Sequence, residues 1–253
     1  ASHIILHIIG GVCLLLWGVG MVSVGLNRAF GTALRRVISN STSNRFKAFG
    51  VGIFTATMLQ SSTAAGMIVS SFAARNVITI TSAIAVMLGA DVGTTLAAQL
   101  MSFDLKAVVP VLLVAGYIVN KSMEDSHYKH VGRAFVGIAL IFIALGMIKT
   151  VAAPIGQSEV MKDLMQPLAS QPILAIALAA LLTWLLHSSL GTVLLFMSFV
   201  QSGLVPVQLG LILVLGANVG GAIAPVIMTL RDIPAGRRVP LGNLMMRSIG
   251  AAI

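Results

Sequence analysis

The sequence predicts an all-α integral membrane protein with two inverted-topology repeats, each containing three transmembrane helices and one re-entrant hairpin. Its composition, the length of its apolar stretches and an internal repeat support this fold class. Of the 253 residues, 57% are hydrophobic and only 9% are charged, and the mean hydropathy is +1.00. A soluble domain of this length would need far more polar surface to remain in water.

The apolar stretches are long enough to cross a bilayer. Residues 4–26 contain no Lys, Arg, Asp or Glu, and residues 77–101 contain only Asp91. Because a spanning helix needs roughly 20 mostly apolar residues, both stretches qualify. A third crossing is predicted over 107–119. The single cysteine, Cys13, excludes an intramolecular disulfide and every metal site that needs several cysteines.

An internal repeat divides the chain. The letters T-A-T-M-L-Q-S-S-T-A from Thr55 align with L-T-W-L-L-H-S-S-L-G from Leu182, and L-G-A-D-V-G-T-T further on aligns with L-G-A-N-V-G-G-A. Gln60 and His187 are 127 residues apart, as are positions 89 and 216, so the alignment needs no gap. The sequence therefore predicts a first repeat at 1–120, a cytoplasmic linker at 121–130 and a second repeat at 131–253.

Each repeat has one segment that is polar in its middle. The segment 46–75 carries basic residues near both ends and Q-S-S-T at its centre. Each arm has about 13–15 residues, or roughly 20 Å of helix, which passes the midplane of a ~30 Å core without crossing it comfortably. We predict re-entrant hairpins at 46–75 and 172–202. The alternative is a single crossing helix with a polar centre.

The charges indicate how the repeats face the membrane. The net charge is +9, and the predicted loop 28–47 carries five basic and no acidic residues, as is typical of cytoplasmic loops. Three crossings per repeat turn the second repeat upside down and place the N-terminus outside a plasma (inner) membrane that the chain crosses several times. Aromatic residues that could stack on bases are not interleaved with the basic ones, so nucleic acid is not an expected partner.

Inverted repeats with interrupted helices are typical of secondary transporters, whose site lies near the midplane where the repeats meet. Serines at the start of a hairpin's second arm can cap a helix, and the free N–H groups there bind anions. The alternative is that these hydroxyls only pair helices or bond to carbonyls. The candidate substrate-binding residues at the two tips are Gln60, Ser61, Ser62, Thr63, His187, Ser188 and Ser189.

The glycine segments 89–95 and 216–221 are predicted to break or loosen their helices. Oxygen atoms from Asp91, Thr94, Thr95 and Asn218 would then suit a hard cation such as Na+. The alternative is that the small residues only allow tight helix packing.

Asp91 is a functional-site hypothesis because an intramembrane carboxylate is costly. It would coordinate a cation or exchange a proton. The sequence indicates no basic partner at comparable depth, and Arg247 is predicted to snorkel to the interface. With no basic residue at the centre, a multivalent anion would need bound Na+ or H+ to neutralise it.

The paired motifs Q-S-S-T with G-A-D-V-G-T-T, and H-S-S with G-A-N-V-G-G, resemble the type II sodium–phosphate cotransporter family. The resemblance implies inorganic phosphate at the hairpin tips, sodium nearby and no organic cofactor. The chain departs from the family pattern where His187 replaces glutamine and Asp91 replaces asparagine, and where Leu190 replaces the third serine. His187 either makes transport sensitive to pH near neutrality or substitutes neutrally for glutamine. The implied sodium ligands are Gln60, Asp91, Thr94, Thr95, Ser188 and Asn218.

The expected function is secondary active transport that couples phosphate to a Na+ gradient by alternating access around the two tips, in a lipid bilayer and with a homodimer left open. The main alternatives are another small anion, such as a dicarboxylate or sulfate, and H+ coupling. An enzyme is not expected. A hydrolase built on His187, Ser188 and Asp91 is disfavoured because adjacent His and Ser side chains on a helix diverge, and a passive channel suits closed hairpins less well.

Overall fold

A computed structural model describes residues 2–40, 44–103, 105–122 and 125–253. Parts of the predicted basic loop (41–43) and of the predicted linker (123–124) lie outside these ranges. The described residues form eleven α-helices and one 3-10 turn, Lys106–Val108, and contain no strand. The helices are α1 (Ser2–Asn40), α2 (Arg45–Leu59), α3 (Ser62–Ala74), α4 (Ile80–Ser102), α5 (Val109–Ser122), α6 (Ser126–Gly156), α7 (Glu159–Ala169), α8 (Pro172–Leu186), α9 (Ser189–Gln201), α10 (Val207–Met228) and α11 (Pro234–Ala252).

Helix α1 is longer than the sequence indicated. Most of the predicted basic loop belongs to this helix, which continues without a break to Asn40. The segment contains strong helix formers and no proline, and its buried Leu34 and Ile38 pack in the same apolar cluster as Leu59 and Ile68. This burial explains why the helix extends beyond the apolar stretch.

The predicted polar-centred segments are pairs of short helices. Helices α2 and α3 have 15 and 13 residues, and α8 and α9 also have 15 and 13. Two residues separate the members of each pair: Gln60 and Ser61 in the first half, His187 and Ser188 in the second. The polar centre therefore interrupts the helix in each half, so neither segment is one continuous helix.

The glycine segments do not break their helices, so that prediction is wrong. Helix α4 runs through 89–95 and α10 runs through 216–221 without interruption. A methyl group at Gly89 would overlap the carbonyl oxygen of Phe49 on α2, and one at Gly220 would overlap the carbonyl of Ala180 on α8. Glycine is required there because the helix backbones touch, as the packing alternative stated.

The contacts also give the directions of the helices in the first half. Gly52 lies against Val86, and Ala56 lies against Gly93, so α2 and α4 run in the same direction. Gly66 lies against Met87, and Ser62 and Asp91 both bond to one arginine, so α3 runs opposite to α4.

The second half repeats these directions. Gly216 lies against Ile176, and Gly220 lies against Ala180, so α8 and α10 run in the same direction. Gly210 meets Val200 and Gly221 meets Ser189, so α9 runs opposite to α10. The two halves therefore share one local arrangement.

Four of the described helices are long and apolar enough to cross a membrane: α1, α4, α6 and α10. Helices α7 and α8 would form a fifth span if the pair, which bends by 102°, is counted as one. Helix α5 has 14 residues, or about 21 Å, and is shorter than a ~30 Å hydrocarbon core. The chain is thus an all-helical, multi-pass membrane protein.

Candidate functional site

Each half places a serine cap where its first short helix gives way to the second. Ser61 has an extended backbone (φ −155°), and its Oγ accepts a hydrogen bond of 3.1 Å from the backbone N–H of Ala64. Ser188 (φ −146°) accepts the equivalent bond from Gly191, also at 3.1 Å. The caps leave the other N–H groups of each helix N-terminus able to bind an anion.

The two tips meet across a cavity of about 270 Å³. Most of the predicted substrate-binding residues line it, together with residues of α1 such as Val19 and Ser23. The lining residues from the tips include Gln60, Ser61, Thr63, His187, Ser188 and Ser189. The structure therefore brings together six of the seven predicted substrate residues.

Ser62 is the exception. It is 2% exposed, it is not among the residues that line the cavity, and its Oγ accepts a 3.1 Å hydrogen bond from Arg247 Nη2. Ser189, at the equivalent position of the second half, lines the cavity instead. The two tips thus have the same backbone but use their second serine differently.

Gln60 and His187 differ in the hydrogen bonds that their side chains make. Gln60 is 8% exposed, and its Oε1 is buried without a hydrogen-bond partner. His187 Nδ1 bonds to the carbonyl oxygen of Leu185 at 2.9 Å. A buried unpaired carbonyl oxygen is costly, so a cation or a hydrogen-bond donor beside Gln60 Oε1 would stabilise it.

Arg247 overturns the prediction that no basic residue lies at the centre. Its Nε donates to Asp91 Oδ2 at 3.0 Å and its Nη2 donates to Asp91 Oδ1. Its Nη1 donates to the backbone carbonyl of Asn218 at 2.7 Å. The arginine side chain is 7% exposed and the aspartate 24%, so Arg247 does not snorkel to the interface.

Helix α11 positions this arginine by packing against α3, α4 and α10. A buried guanidinium without a counter-ion would be strongly destabilising, so the pair with Asp91 is what permits Arg247 at this place. The sequence separation of 156 residues concealed the pair. Opposite charges on two apolar segments are the signal that could have indicated it.

Three of the other predicted sodium ligands, Thr94, Thr95 and Asn218, are near this ion pair, whereas Gln60 and Ser188 line the tip cavity. The hydroxyls of Thr94 and Thr95 donate to the carbonyl of Asp91 at 2.9 and 3.0 Å. Both residues line an adjoining cavity of about 330 Å³ together with Asn218. Their hydroxyl oxygens keep lone pairs that can accept a ligand.

The fold and the site define a multi-pass membrane protein with a polar site between two pairs of short helices. The chain belongs to the Na+/Pi-cotransporter family, which it matches over residues 14–150 and 156–252. This membership confirms the resemblance found in the paired motifs.

Similar proteins are known from several bacteria. The chain is 34% identical over 249 residues to proteins of Salmonella typhimurium and Escherichia coli, each called "Putative inorganic phosphate export protein YjbB". The match covers 98% of this chain and 46% of each relative, so the chain spans about half their length. It is also 25% identical over 236 residues to "Uncharacterized protein YqeW" of Bacillus subtilis, covering 93% of this chain and 76% of that protein. No solved structure matches the chain significantly.

Proposed function

We propose that this protein is a secondary active transporter that moves inorganic phosphate across the plasma (inner) membrane and couples it to a Na+ gradient. The observation that carries the proposal is the cavity between two equivalent capped tips, in a chain of the Na+/Pi-cotransporter family. The transport direction stays open in this proposal, because similar proteins are named for phosphate export.

Helix directions support re-entrant hairpins. In each half the first short helix runs with the long helix that follows, and the second runs against it. The chain therefore reverses at Gln60–Ser61 and at His187–Ser188. Because each arm is only 13–15 residues long, such a hairpin enters and leaves on one face of the bilayer.

Helices α1 and α6 support inversion of the two repeats. They are the first helices of the two halves, and they pack against each other in opposite directions: Gly11 meets Ile148, Gly18 meets Gly137, and Gly25 meets Ala134. Repeats related by an axis along the membrane normal would have parallel first helices. Antiparallel first helices instead suit an axis in the membrane plane. The positive charge near residues 28–47 supports an orientation with the N-terminus outside.

The polar groups at the tips support a bound oxyanion. Phosphate would accept hydrogen bonds from free N–H groups at the starts of α3 and α9 and from the hydroxyls of Thr63 and Ser189. Sodium would take Gln60 Oε1 and oxygens of Ser188, Thr94, Thr95 and Asn218. Asp91 would join them only when Arg247 releases it, because Arg247 bonds both of its carboxylate oxygens.

The test is a flux measurement on the purified chain in proteoliposomes. Radiolabelled phosphate is supplied outside, with an inward gradient of Na+, of H+, or of neither, and efflux from preloaded vesicles is measured in parallel. The control is vesicles without protein. Phosphate movement against its gradient only with Na+ supports the proposal, and movement only with H+ changes the coupling ion.

Sulfate and a dicarboxylate are measured in the same vesicles. A protein that moves either of these anions under a gradient, and not phosphate, contradicts the proposed substrate. Phosphate movement that simply follows its own gradient under all three conditions would identify a passive channel.

A further inference from the structure

Arg247 uses nearly all of its hydrogen-bonding capacity inside the protein. A guanidinium has five N–H groups. Those of Arg247 reach Asp91, Ser62 and the carbonyl of Asn218 through four hydrogen bonds. One side chain on α11 thus ties together α3, α4 and α10, each close to a hairpin tip.

Stability alone explains this ion pair poorly. Replacing a buried ion pair with neutral residues is often harmless or stabilising, whereas breaking it by removing one partner is costly. Ionisable residues within a membrane segment almost always lie on a path for substrate or ions. The cavity between the tips does not include Arg247 among its lining residues, so the role of the pair is a separate question.

The position of Arg247 relates it to both tips. Its Nη2 bonds to Ser62, the residue after the capping serine of the first tip. In the second half, a methyl group at Gly221 would lie 2.8 Å from the Cβ of Ser189 and 3.4 Å from Arg247 Nη1. The guanidinium is therefore hydrogen-bonded to Ser62 and lies close to Ser189, the equivalent serine of the second half.

Three neighbouring cavities lie between the tips and the guanidinium, and each shares lining residues with the next. The tip cavity shares Ser189 and Leu190 with a second cavity of about 330 Å³. That cavity shares Thr95 and Asn218 with a third, of about 290 Å³, which Asp91 and Arg247 line. Since one water occupies about 30 Å³ of liquid, the third cavity has room for a small oxyanion and several waters.

We propose that Arg247 binds the transported oxyanion, and that Asp91 is the counter-ion that Arg247 leaves when the anion arrives. The inference rests on the proposed function. A guanidinium forms the same two-pronged hydrogen bonds with a phosphate as with a carboxylate, so one partner can replace the other. The anion then supplies the negative charge that a buried Arg247 requires.

This exchange makes the carboxylate of Asp91 a competitor of the anion. Removing its charge leaves Arg247 without a counter-ion and strengthens anion binding. A Na+ ion held by Asp91 acts in the same direction, because it draws the carboxylate away from the guanidinium. The exchange therefore links cation and anion binding through two side chains.

Three variants of the full chain test the proposal: Asp91→Asn, the double variant Asp91→Asn/Arg247→Gln, and the matched control Arg238→Gln. Arg238 is an exposed arginine of the same helix α11. Equilibrium binding of radiolabelled inorganic phosphate to the purified proteins in detergent is measured in sodium buffer and in sodium-free potassium buffer. The apparent melting temperature is recorded for each protein.

The double variant decides the question because it removes both charges together, which favours folding. We expect it to bind phosphate about tenfold more weakly, or worse, in both buffers at a near wild-type melting temperature, since a charged donor is lost. In the sodium-free buffer, Asp91→Asn is expected to bind phosphate several-fold more tightly than the wild type does. Arg238→Gln is expected to match the wild type.

A folded double variant with wild-type phosphate affinity would overturn the proposal and leave the pair as a structural tie. Equal weakening in Asp91→Asn and in the double variant would also overturn it, because the carboxylate and not the arginine would then hold the anion. If the wild type binds sulfate or a dicarboxylate and not phosphate, the proposed function fails and the variants are compared with that anion. A wild type that binds none of the three overturns both.

Discussion

Gln60 and His187 adopt the same left-handed backbone conformation, with φ angles of 51° and 53° and ψ angles of 31° and 23°. Apart from glycine, asparagine, aspartate and histidine, residues rarely take this conformation, and β-branched residues are the least tolerant of it. Both residues end a 15-residue helix immediately before a capping serine. The tips are therefore defined by backbone geometry as well as by their polar side chains.

His187→Asn should preserve this geometry, because asparagine tolerates the left-handed region, whereas His187→Ile should lower stability by about 1 kcal/mol or more. The measurement is the apparent melting temperature in detergent. Leu185→Ile is the matched control, since Leu185 is exposed within helix α8 and isoleucine costs only a few tenths of a kcal/mol there. Equal loss in both isoleucine variants would argue against strain at the tip.

The capping serines give a second prediction. Ser61→Ala and Ser188→Ala should each reduce stability by about 1 kcal/mol, because each removes the acceptor for a helix N-terminal N–H. Ser61→Asn should restore the stability, since asparagine also caps helices. If Ser61→Asn melts like the wild type but binds phosphate less well, Ser61 has a role in binding beyond the cap.

Gly89→Ala should destabilise the protein by about 1–3 kcal/mol, because the added methyl would overlap the backbone of α2 at Phe49. Gly216→Ala should do the same in the second half, against Ile176 of α8. Gly50→Ala is the control within α2: nothing lies within 4 Å of its added methyl, so its stability should be unchanged or slightly higher. Unfolding is followed by heat or by denaturant, and similar losses in all three variants would contradict the packing account.

Ser62→Ala and Ser189→Ala should both weaken phosphate binding, for different reasons. Ser62 bonds to Arg247, so its loss acts through the arginine, whereas Ser189 lines the tip cavity directly. We expect about three- to tenfold weaker binding in each, as the loss of one hydrogen bond gives. The exposed Ser248 on α11 provides the control, Ser248→Ala. Unchanged phosphate affinity in both Ser62→Ala and Ser189→Ala would show that neither serine contributes to phosphate binding.

Much of the tip geometry could be predicted because it depends on local sequence. The repeated S-S pairs and the arm lengths of 13–15 residues indicated both helix breaks, and the structure has them at Gln60–Ser61 and His187–Ser188. N-terminal caps can be predicted from local sequence, because each serine accepts a hydrogen bond from a backbone N–H only three residues further along the chain.

The sequence could not indicate features that depend on distant contacts. A glycine in an apolar run is compatible with a helix break and with a close helix contact. For Gly89 the second interpretation is correct, and this is visible only from the backbone of Phe49 on the neighbouring helix. Arg247 and Asp91 are 156 residues apart, and no local pattern relates them. The sodium ligands and the inverted orientation stay predictions.

Three of the six glycines of α1, Gly11, Gly18 and Gly25, are seven residues apart, and each of these three lies against α6. A seven-residue repeat keeps one seam of two helices in register along their whole length. The seam joins the first helix of one half of the chain to the first helix of the other half. Inserting one residue between Gly11 and Gly18 would rotate one part of α1 relative to the other by about 100°, so that the glycines on one side would no longer face α6.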